Sequence, residues 1–422
     1  MEICTRSYRP RKPEASPLFR LVSQHVDEFL RVYDERFAKE HGPLRPAVER
    51  VLRGFIRCGI PRHGFARVLC DTCRVTYAVP FSCRTRSFCP SCEKKRALLW
   101  AEWVRGELLE AVAHRHVVFT IPRLLRPLFR RRRELLSELG HAAAAAIGAL
   151  MQEALGARVT PGVVVCVATA GDLAQWHPHG HVLTTDGAYS EDGAFHPIEQ
   201  WDDQRLMKLF REHLLARLVE RRAISEVLVA KLTSWRHPGF SAFVGRPIAP
   251  EDKAKIEDIA AYLVKPPVSL EKLVYLDGEK AVLYRSKRMN PGLGRNFEAM
   301  DPLEWLARMV DHIPDPGKHR TLRYGVYSNR ARGAGEPKEP GEETAPKRKR
   351  CTASWARLIH KVYEVDPLVC PRCGGEMRGL HHPTRLDQAH PRSSPKAREG
   401  LSSTHARPAT GRLPRLRSAP PE

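Results

Sequence analysis

The segment VVVCVATAGDLAQWHPHGHVLTTDG, residues 163–187, holds two strand-like runs on which the fold prediction depends. The first run, residues 163–170, is almost continuously apolar, which is typical of a buried strand. The second, HGHVLTTDG, opens on alternating histidines and ends at Asp186-Gly187, a dipeptide that favours a hairpin turn. Because the two runs are close in sequence, we expect them to be antiparallel neighbours in one sheet.

Helical patterns surround these strands. Apolar residues at three- and four-residue spacing predict helices over residues 20–57, 94–113, 123–157, 203–221, 252–265 and 301–312. Further strands are expected at HVVFTIP, which begins at His116, at residues 226–233, and in the hairpin KLVYLDGEKAVLYR around Asp277-Gly278. Helices mixed with short antiparallel strands indicate an α+β protein.

Charge is the strongest bulk signal. The chain has 422 residues and a net charge of +22, which favours two to three domains and a polyanionic partner such as nucleic acid. No apolar run is long enough to cross a membrane. The N-terminus lacks the apolar core of a secretory signal, so we expect a cytoplasmic protein, associated with the nucleoid when bound to DNA, whose cysteines are reduced.

The cysteines between residues 70 and 92 predict a zinc site. Cys70 with Cys73, and Cys89 with Cys92, form two C-x2-C pairs around the strand-like VTYAV, which favours a zinc ribbon with four thiolate ligands. Such a site has no open position, so the zinc would be structural. Cys83 is either a core thiol or a replacement for one of the four ligands, and His63 is close enough in sequence to compete.

Basic residues surround this module and predict a DNA-contacting rim, made up of Arg84, Arg86, Lys94, Lys95 and Arg96. The segment Trp235-Arg236-His237 is a second candidate, because an aromatic ring and a guanidinium can stack on bases. Core and turn roles explain that segment equally well.

The C-terminal quarter predicts a linker, a short module and a tail. Residues 329–350 are rich in Pro, Gly and charge, as linkers are. Residues 351–380 hold a short helix and the pair Cys370 and Cys373, a possible second zinc site whose other ligands could be Cys351 or His381 with His382. Residues 381–422 have too few aliphatic side chains to form a core, which predicts disorder. The remaining domains are then 1–112 and 113–328.

Histidines and a tyrosine predict a catalytic site. Alternate residues of a strand face the same way, so His179 and His181 would supply half of a divalent-metal site. A later helix carries Tyr262, with Lys265 about one turn further on. A metal polarises a phosphate, and the tyrosine oxygen can then attack phosphorus. The third metal ligand is open among His177, Gln175, Glu257 and Asp258; an acidic ligand would suit Mg²⁺ or Mn²⁺.

Several of these motifs together resemble the rolling-circle transposases of the HUH superfamily, in the IS91-like group of insertion sequences. The similar segments are GFARVLCDTC with FSCRTRSFCPSC, HVVFTIP, HPHGHVLTTDG, SWRHPGF with YLVKPP, and DPLVCPRCGGEM. The resemblance implies an HUH-type catalytic domain with a central antiparallel sheet, a His-hydrophobic-His motif at residues 179–181, and Tyr262 as nucleophile. It also implies that the N-terminal cysteines bind zinc and that the substrates are single-stranded DNA at mobile-element ends and target DNA.

The sequence departs from that family's pattern at three places. Gly180 replaces a bulky apolar residue in the histidine motif, Pro266 stands where some members have a second tyrosine, and the tail after Leu380 lacks an aliphatic continuation. A decayed transposase copy and a zinc-dependent DNA-binding protein without catalysis are therefore alternatives. A third is a nuclease that activates water and would not need Tyr262.

Overall fold

A computed structural model describes residues 11–235, 239–290, 294–333, 369–370 and 372–380. Within these ranges helix and antiparallel sheet are mixed, as expected for an α+β protein. Several predicted features lie outside the described residues: most of the linker, the short helix expected at SWARLIHKVYEV, the disordered tail, and the residues Arg236, His237, Cys351, His381 and His382. None of the described helices is long and apolar enough to cross a bilayer.

The α-helices of the described residues are α1 (Pro17–Arg36), α2 (Ala38–His41), α3 (Pro46–Phe55), α4 (Pro90–Trp103), α5 (Arg126–Arg131), α6 (Leu136–Leu155), α7 (Asp203–Glu220), α8 (Glu226–Ser234), α9 (Lys253–Leu263), α10 (Pro302–Val310) and α11 (Asn329–Gly333). The strands are β1 (Phe65–Cys70), β2 (Thr76–Pro80), β3 (His114–Thr120), β4 (Gly162–Ala170), β5 (Trp176–Thr185), β6 (Gly187–Tyr189), β7 (Phe195–Pro197), β8 (Ser241–Val244), β9 (Leu273–Leu276), β10 (Ala281–Asn290), β11 (Arg295–Met300), β12 (Thr321–Gly325) and β13 (Met377–Leu380).

The largest sheet has five antiparallel strands in the order β12-β4-β5-β3-β8. The prediction that residues 163–170 and the histidine strand are antiparallel neighbours is confirmed, because β4 pairs directly with β5. β3, which contains most of HVVFTIP, is the other neighbour of β5. The histidine strand is thus the middle strand, held by hydrogen bonds on both sides.

Each face of this sheet packs on a different core. On one face, alternate residues such as Val165 and Val182 pack against α6 and α7. On the other face, Cys166 and Leu183 pack with α9 and with the residues after α4. Because side chains alternate along a strand, His179 and His181 share the second face with Leu183 and therefore point towards α9.

A further core lies among the N-terminal helices. Side chains of α1 and α3 pack with those of the β11-β10-β9 sheet and α10, together with Cys89 and Cys92. This core joins residues on both sides of the predicted domain boundary at residue 112, and the boundary itself stays a prediction. Two smaller sheets complete the described architecture, β13-β1-β2 and the hairpin β6-β7.

Three element predictions need correction. Residues 226–233, expected as a strand, lie in α8, because the Ser225 hydroxyl caps the helix by accepting a hydrogen bond from the Leu228 N–H at 3.3 Å. Asp186-Gly187 is not a hairpin turn, since β5 pairs with β4 and β3 while β6 pairs with β7. The helix expected over 20–57 is three helices, with one break at Phe37 and a second that begins at Gly42, whose φ of +84° ends α2. The hairpin of β9 and β10 is confirmed.

Candidate active site and cysteine clusters

Two histidines of β5 form the centre of the candidate active site. The Nε2 atoms of His179 and His181 are 3.1 Å apart. A metal ion bound about 2.0–2.1 Å from each imidazole nitrogen would hold two adjacent ligands roughly 3.0–3.3 Å apart. The pair therefore fits two ligands of one metal ion.

A hydrogen bond and burial prepare the two imidazole rings for metal binding. The Nδ1–H of His179 donates to the carbonyl oxygen of His177 at 2.6 Å, which leaves Nε2 of His179 with its lone pair free. Burial is the main cause that lowers the pKa of His181 to about 3, and the neighbouring histidines and Arg320 add to it. A neutral imidazole is the form that binds a metal.

His116 on β3 is a site residue that the sequence analysis missed. Its Nε2 is 3.2 Å from Nδ1 of His181, and the two rings stack with centroids 5.3 Å apart. Residues opposite each other on paired strands share a face, and His116 is opposite Leu183. His116 opens the HVVFTIP motif, so the sequence contained the signal, but only the register of β3 against β5 shows that it contacts His181.

Tyr262 lies beside these histidines. It is the second-last residue of α9, and its ring centroid is 5.2 Å from that of His181 and 6.0 Å from that of His116. Tyr262 is 49% exposed, so a substrate can reach this residue from solvent. Lys265 follows the end of the helix, and its Nζ is 5.8 Å from the Tyr262 ring centroid. The structure thus brings together the four residues His179, His181, Tyr262 and Lys265.

The candidates for a third metal ligand are placed differently. His177 has a buried Nε2 without a hydrogen-bond partner, and its ring centroid is 5.1 Å from that of His179. Glu257 forms an ion pair with Arg105, with 3.2 Å between the carboxylate and the guanidinium. Gln175 and Asp258 are exposed. Burial lowers the pKa of His177 to about 4, which keeps this nitrogen available.

A basic cavity of about 130 Å³ adjoins the tyrosine helix. It is lined by Leu263 and Val264 from the end of α9, by Arg86 and Arg96 near the first cysteine-rich segment, and by His319 and Arg320, which precede β12. Glu93, also in the lining, is paired with Arg96. The predicted basic rim and the candidate catalytic residue thus meet in one region of the molecule.

The other described residues that were predicted to contact DNA do not line this cavity. Arg84 and Lys94 are exposed, and Lys95 is half-buried, which lowers the pKa of its amine. Trp235 is 39% exposed at the end of α8. Phe243, which the sequence analysis missed, is 60% exposed on the edge strand β8. It is opposite Val118, which in turn is opposite His181, so Phe243 shares the active-site face.

The first cysteine cluster consists of Cys58, Cys83, Cys89 and Cys92. Its sulfur–sulfur distances include 3.8 Å from Cys58 to Cys92, 3.5 Å from Cys83 to Cys92 and 3.7 Å from Cys89 to Cys58. Four thiolates about 2.3 Å from a zinc ion lie about 3.8 Å apart in a tetrahedron. Cys83 is therefore placed as a ligand candidate. Cys58, which the sequence analysis missed, has no C-x2-C partner to signal it.

The second cluster consists of Cys70, Cys73, Cys370 and Cys373. This corrects the predicted grouping, in which the pairs 70–73 and 89–92 shared one zinc ion. The physical reason is the β-ladder: β1 ends at Cys70 and pairs with β13, which places the C-terminal cysteine pair beside the N-terminal one. Among the described residues, only these two cysteine clusters bring three or more ligand atoms within 4.8 Å of one another; His63 is in neither.

Comparison with known proteins finds family matches to two regions of the chain. Residues 28–121 match a transposase zinc-binding domain, and residues 162–334 match a domain described as a putative transposase. The transposase for insertion sequence element IS801 of Pseudomonas savastanoi pv. phaseolicola is 29% identical over 80% of this chain and 84% of its own length. The putative transposase y4qJ of Sinorhizobium fredii is 27% identical over 73% of this chain and 81% of its own length. No solved structure matches.

The fold, the two matched domains and these relatives together define a transposase with an N-terminal zinc-binding domain. Within that class, the chain belongs to the IS91-like family of insertion-sequence transposases.

Proposed function

We propose that this transposase nicks and rejoins single-stranded DNA through a 5′-phosphotyrosine intermediate on Tyr262, and so mobilises an insertion sequence by a rolling-circle-like mechanism. The observation that carries the proposal is the exposed Tyr262 ring 5.2 Å from His181, which forms the histidine pair with His179. A nucleophile and a metal-binding pair are then close enough to act on one phosphate.

In the cleavage step, the Tyr262 hydroxyl oxygen attacks the scissile phosphorus. A new bond forms between the tyrosine oxygen and phosphorus, and the bond from phosphorus to the 3′ oxygen breaks. Tyrosine loses its phenolic proton, and the 3′ oxygen gains a proton and leaves as a 3′-hydroxyl. In the joining step, a 3′-hydroxyl attacks the phosphotyrosine and restores the phenol. An ammonium group such as that of Lys265, 5.8 Å from the Tyr262 ring centroid, is placed to stabilise a phenolate or a phosphate oxygen.

His179 and His181 would hold a divalent metal ion. His177, whose buried Nε2 has no hydrogen-bond partner, would have to turn its ring towards this pair to become the third ligand. When bound, the ion acts as a Lewis acid that polarises the phosphate and orients it. We favour His177 over Glu257 because the Glu257 carboxylate is paired with Arg105. Imidazole ligands suit transition ions better than Mg²⁺, so Mn²⁺ fits this donor set better than Mg²⁺ does.

The basic cavity beside α9 supports DNA as the substrate. Arg86, Arg96 and Arg320 line it next to the residues that follow Tyr262. Because the protein carries a net charge of +22, contacts to several phosphates would add up along a strand. The exposed Phe243 on the active-site face offers a surface on which an unpaired base can stack, which favours a single-stranded substrate.

The test is covalent adduct formation on a denaturing gel. The full chain is incubated with single-stranded oligonucleotides from the ends of its own element, with Mn²⁺, with Mg²⁺ or with a chelator. We expect an adduct with metal, more with Mn²⁺ than with Mg²⁺, and none with Tyr262→Phe. Tyr189→Phe is the matched control, because Tyr189 lies in the separate β6-β7 hairpin.

Two outcomes would contradict the proposal. Strand cleavage that survives Tyr262→Phe would indicate a nuclease that activates water. Tight binding without cleavage under every metal condition would indicate a DNA-binding protein or a decayed copy of the transposase.

A further inference from the structure

The second cysteine cluster is formed by two segments almost 300 residues apart in sequence. Cys70 and Cys73 lie at the turn between β1 and β2, whereas Cys370 and Cys373 precede β13. We propose that these four thiolates bind one zinc ion that fastens the C-terminal segment onto the N-terminal zinc-binding domain. Two of the four ligands, Cys370 and Cys373, lie outside the regions that match transposase domains, which are residues 28–121 and 162–334.

The sulfur geometry fits a tetrahedral ion. Sγ of Cys70 is 3.5 Å from Sγ of Cys373, and Sγ of Cys73 is 3.6 Å from Sγ of Cys370. These distances are close to the roughly 3.8 Å between thiolates that share a zinc ion. Four cysteine ligands close the coordination sphere, so the ion would be structural.

The two cysteine pairs have matching local structure. In the first turn, the Arg74 N–H donates to the Cys70 carbonyl at 3.1 Å, and in the second, the Gly374 N–H donates to the Cys370 carbonyl at 2.8 Å. Gly374 has a φ of +71°, a conformation that this turn requires and that glycine adopts without strain. Each C-x2-C sequence thus forms a tight turn that directs two sulfurs to the same side.

Contacts beyond the sulfurs hold the two segments together. β13 pairs with β1 from Arg67 opposite Leu380 to Cys70 opposite Met377, and covers an edge of β1 that would otherwise be unpaired. Val68 and Met377 share a small core with Cys70 and Cys370. A β-carbon at Gly375 would collide with the Thr72 side chain, so the turn of the C-terminal pair packs closely against the turn of the N-terminal pair.

The proposal predicts how zinc content responds to cysteine removal. Zinc per full-length chain is measured by atomic emission, and cobalt substitution reports thiolate ligands by the charge-transfer band in the visible and near-ultraviolet spectrum. We expect two ions in the wild type, one in Cys70→Ser/Cys73→Ser, one in Cys370→Ser/Cys373→Ser, and still one in the variant with all four substitutions. Cys166→Ser is the matched control and keeps two, because Cys166 is buried outside both clusters.

The fourfold variant decides the question. If the two pairs belonged to separate sites, combining their substitutions would remove both ions, and the proposal would be overturned. Two ions retained in Cys370→Ser/Cys373→Ser would overturn it as well. Limited proteolysis of the full chain is the second measurement: cleavage near residue 370 should become at least tenfold faster in Cys70→Ser/Cys73→Ser, and an unchanged rate contradicts the proposed fastening.

Discussion

At the scale of single residues, Gly180 is the departure from the family pattern that the structure explains best. It lies in the middle strand, which pairs with a neighbouring strand on each side, and it is opposite Phe119 and Val167. Glycine can therefore occupy the middle of the histidine motif without loosening the flanking histidines, because the ladder rather than a side chain fixes the backbone.

Gly180→Ala should be tolerated. A β-carbon there would meet only a methyl group of Val165, at 3.8 Å, and alanine is favoured over glycine in a strand by about 0.5–1 kcal/mol. We expect the free energy of unfolding in urea to stay equal or to rise by that amount. Gly325→Ala is the disruptive control, because Gly325 has a φ of +59° and its β-carbon would overlap the Pro161 carbonyl oxygen. A large loss of stability in Gly180→Ala would disprove this explanation.

His116 is expected to position a metal ligand rather than to bind the metal itself. If Nε2 of His181 binds the ion, its Nδ1–H can donate to Nε2 of His116, 3.2 Å away. His116→Phe should weaken Mn²⁺ binding by about 10- to 100-fold, as the loss of such a partner commonly does, and His116→Gln should restore part of the affinity. Mn²⁺ titration followed by adduct yield tests this, and equal affinity in wild type and His116→Phe would contradict it.

At the scale of elements, the edge strand β8 adds the exposed aromatic side chain of Phe243 to the active-site face of the sheet. Base stacking on such a ring contributes about 1–3 kcal/mol. Phe243→Ala should therefore weaken binding of a single-stranded oligonucleotide by roughly 5- to 150-fold while leaving duplex binding nearly unchanged. Fluorescence anisotropy measures both affinities.

Val227→Ala is the control for this prediction, since Val227 is 79% exposed on α8 and belongs to another element. Equal losses of affinity in Phe243→Ala and Val227→Ala would show that the ring of Phe243 has no specific role in base stacking.

Elements defined by periodicity were predictable from sequence, and their long-range partners were not. β4, β5, α7 and α9 follow from apolar patterns within one segment. The contact between His116 and His181 depends on β-register. The proximity of Cys70 and Cys373, which are 303 residues apart, depends on the pairing of β1 with β13. A C-x2-C motif specifies two ligands but not their partners. Cys58 carried no motif and was found only through the packing of α3 against the cluster.

At the scale of the whole molecule, buried neutral histidines make stability depend on pH. His312 of the N-terminal core accepts a hydrogen bond from Thr169 and donates one to the Ala174 carbonyl, each at 3.0 Å. Burial lowers its pKa to about 4, and Asp311, Arg320 and Arg133 are the charged groups that act on it. The pKa of His312 in the folded protein is below the unfolded value of about 6.5. The contribution of neutral His312 to the free energy of unfolding is therefore fully present above pH 6.5 and is lost as the pH falls towards 4.

His312→Gln should therefore be less sensitive to acid than the wild type. The difference in unfolding free energy between the two proteins should shrink by about 1.4 kcal/mol for each pH unit between 6.5 and 4, because other titrating groups cancel in the comparison. Urea denaturation at several pH values measures it. A difference that is constant with pH would contradict a neutral, buried His312.

The central claim, a phosphotyrosine on Tyr262 at the 5′ end of the cleaved strand, is tested most directly by mapping the covalent adduct. Oligonucleotides labelled at either end are incubated with the full chain and Mn²⁺, and the modified peptide is sequenced by mass spectrometry. We predict that only the 3′-labelled strand stays attached, with the nucleotide on the peptide that contains Tyr262, which lies 5.2 Å from His181 between ring centroids. An adduct on another residue, or one that retains the 5′ label, would contradict the proposed mechanism.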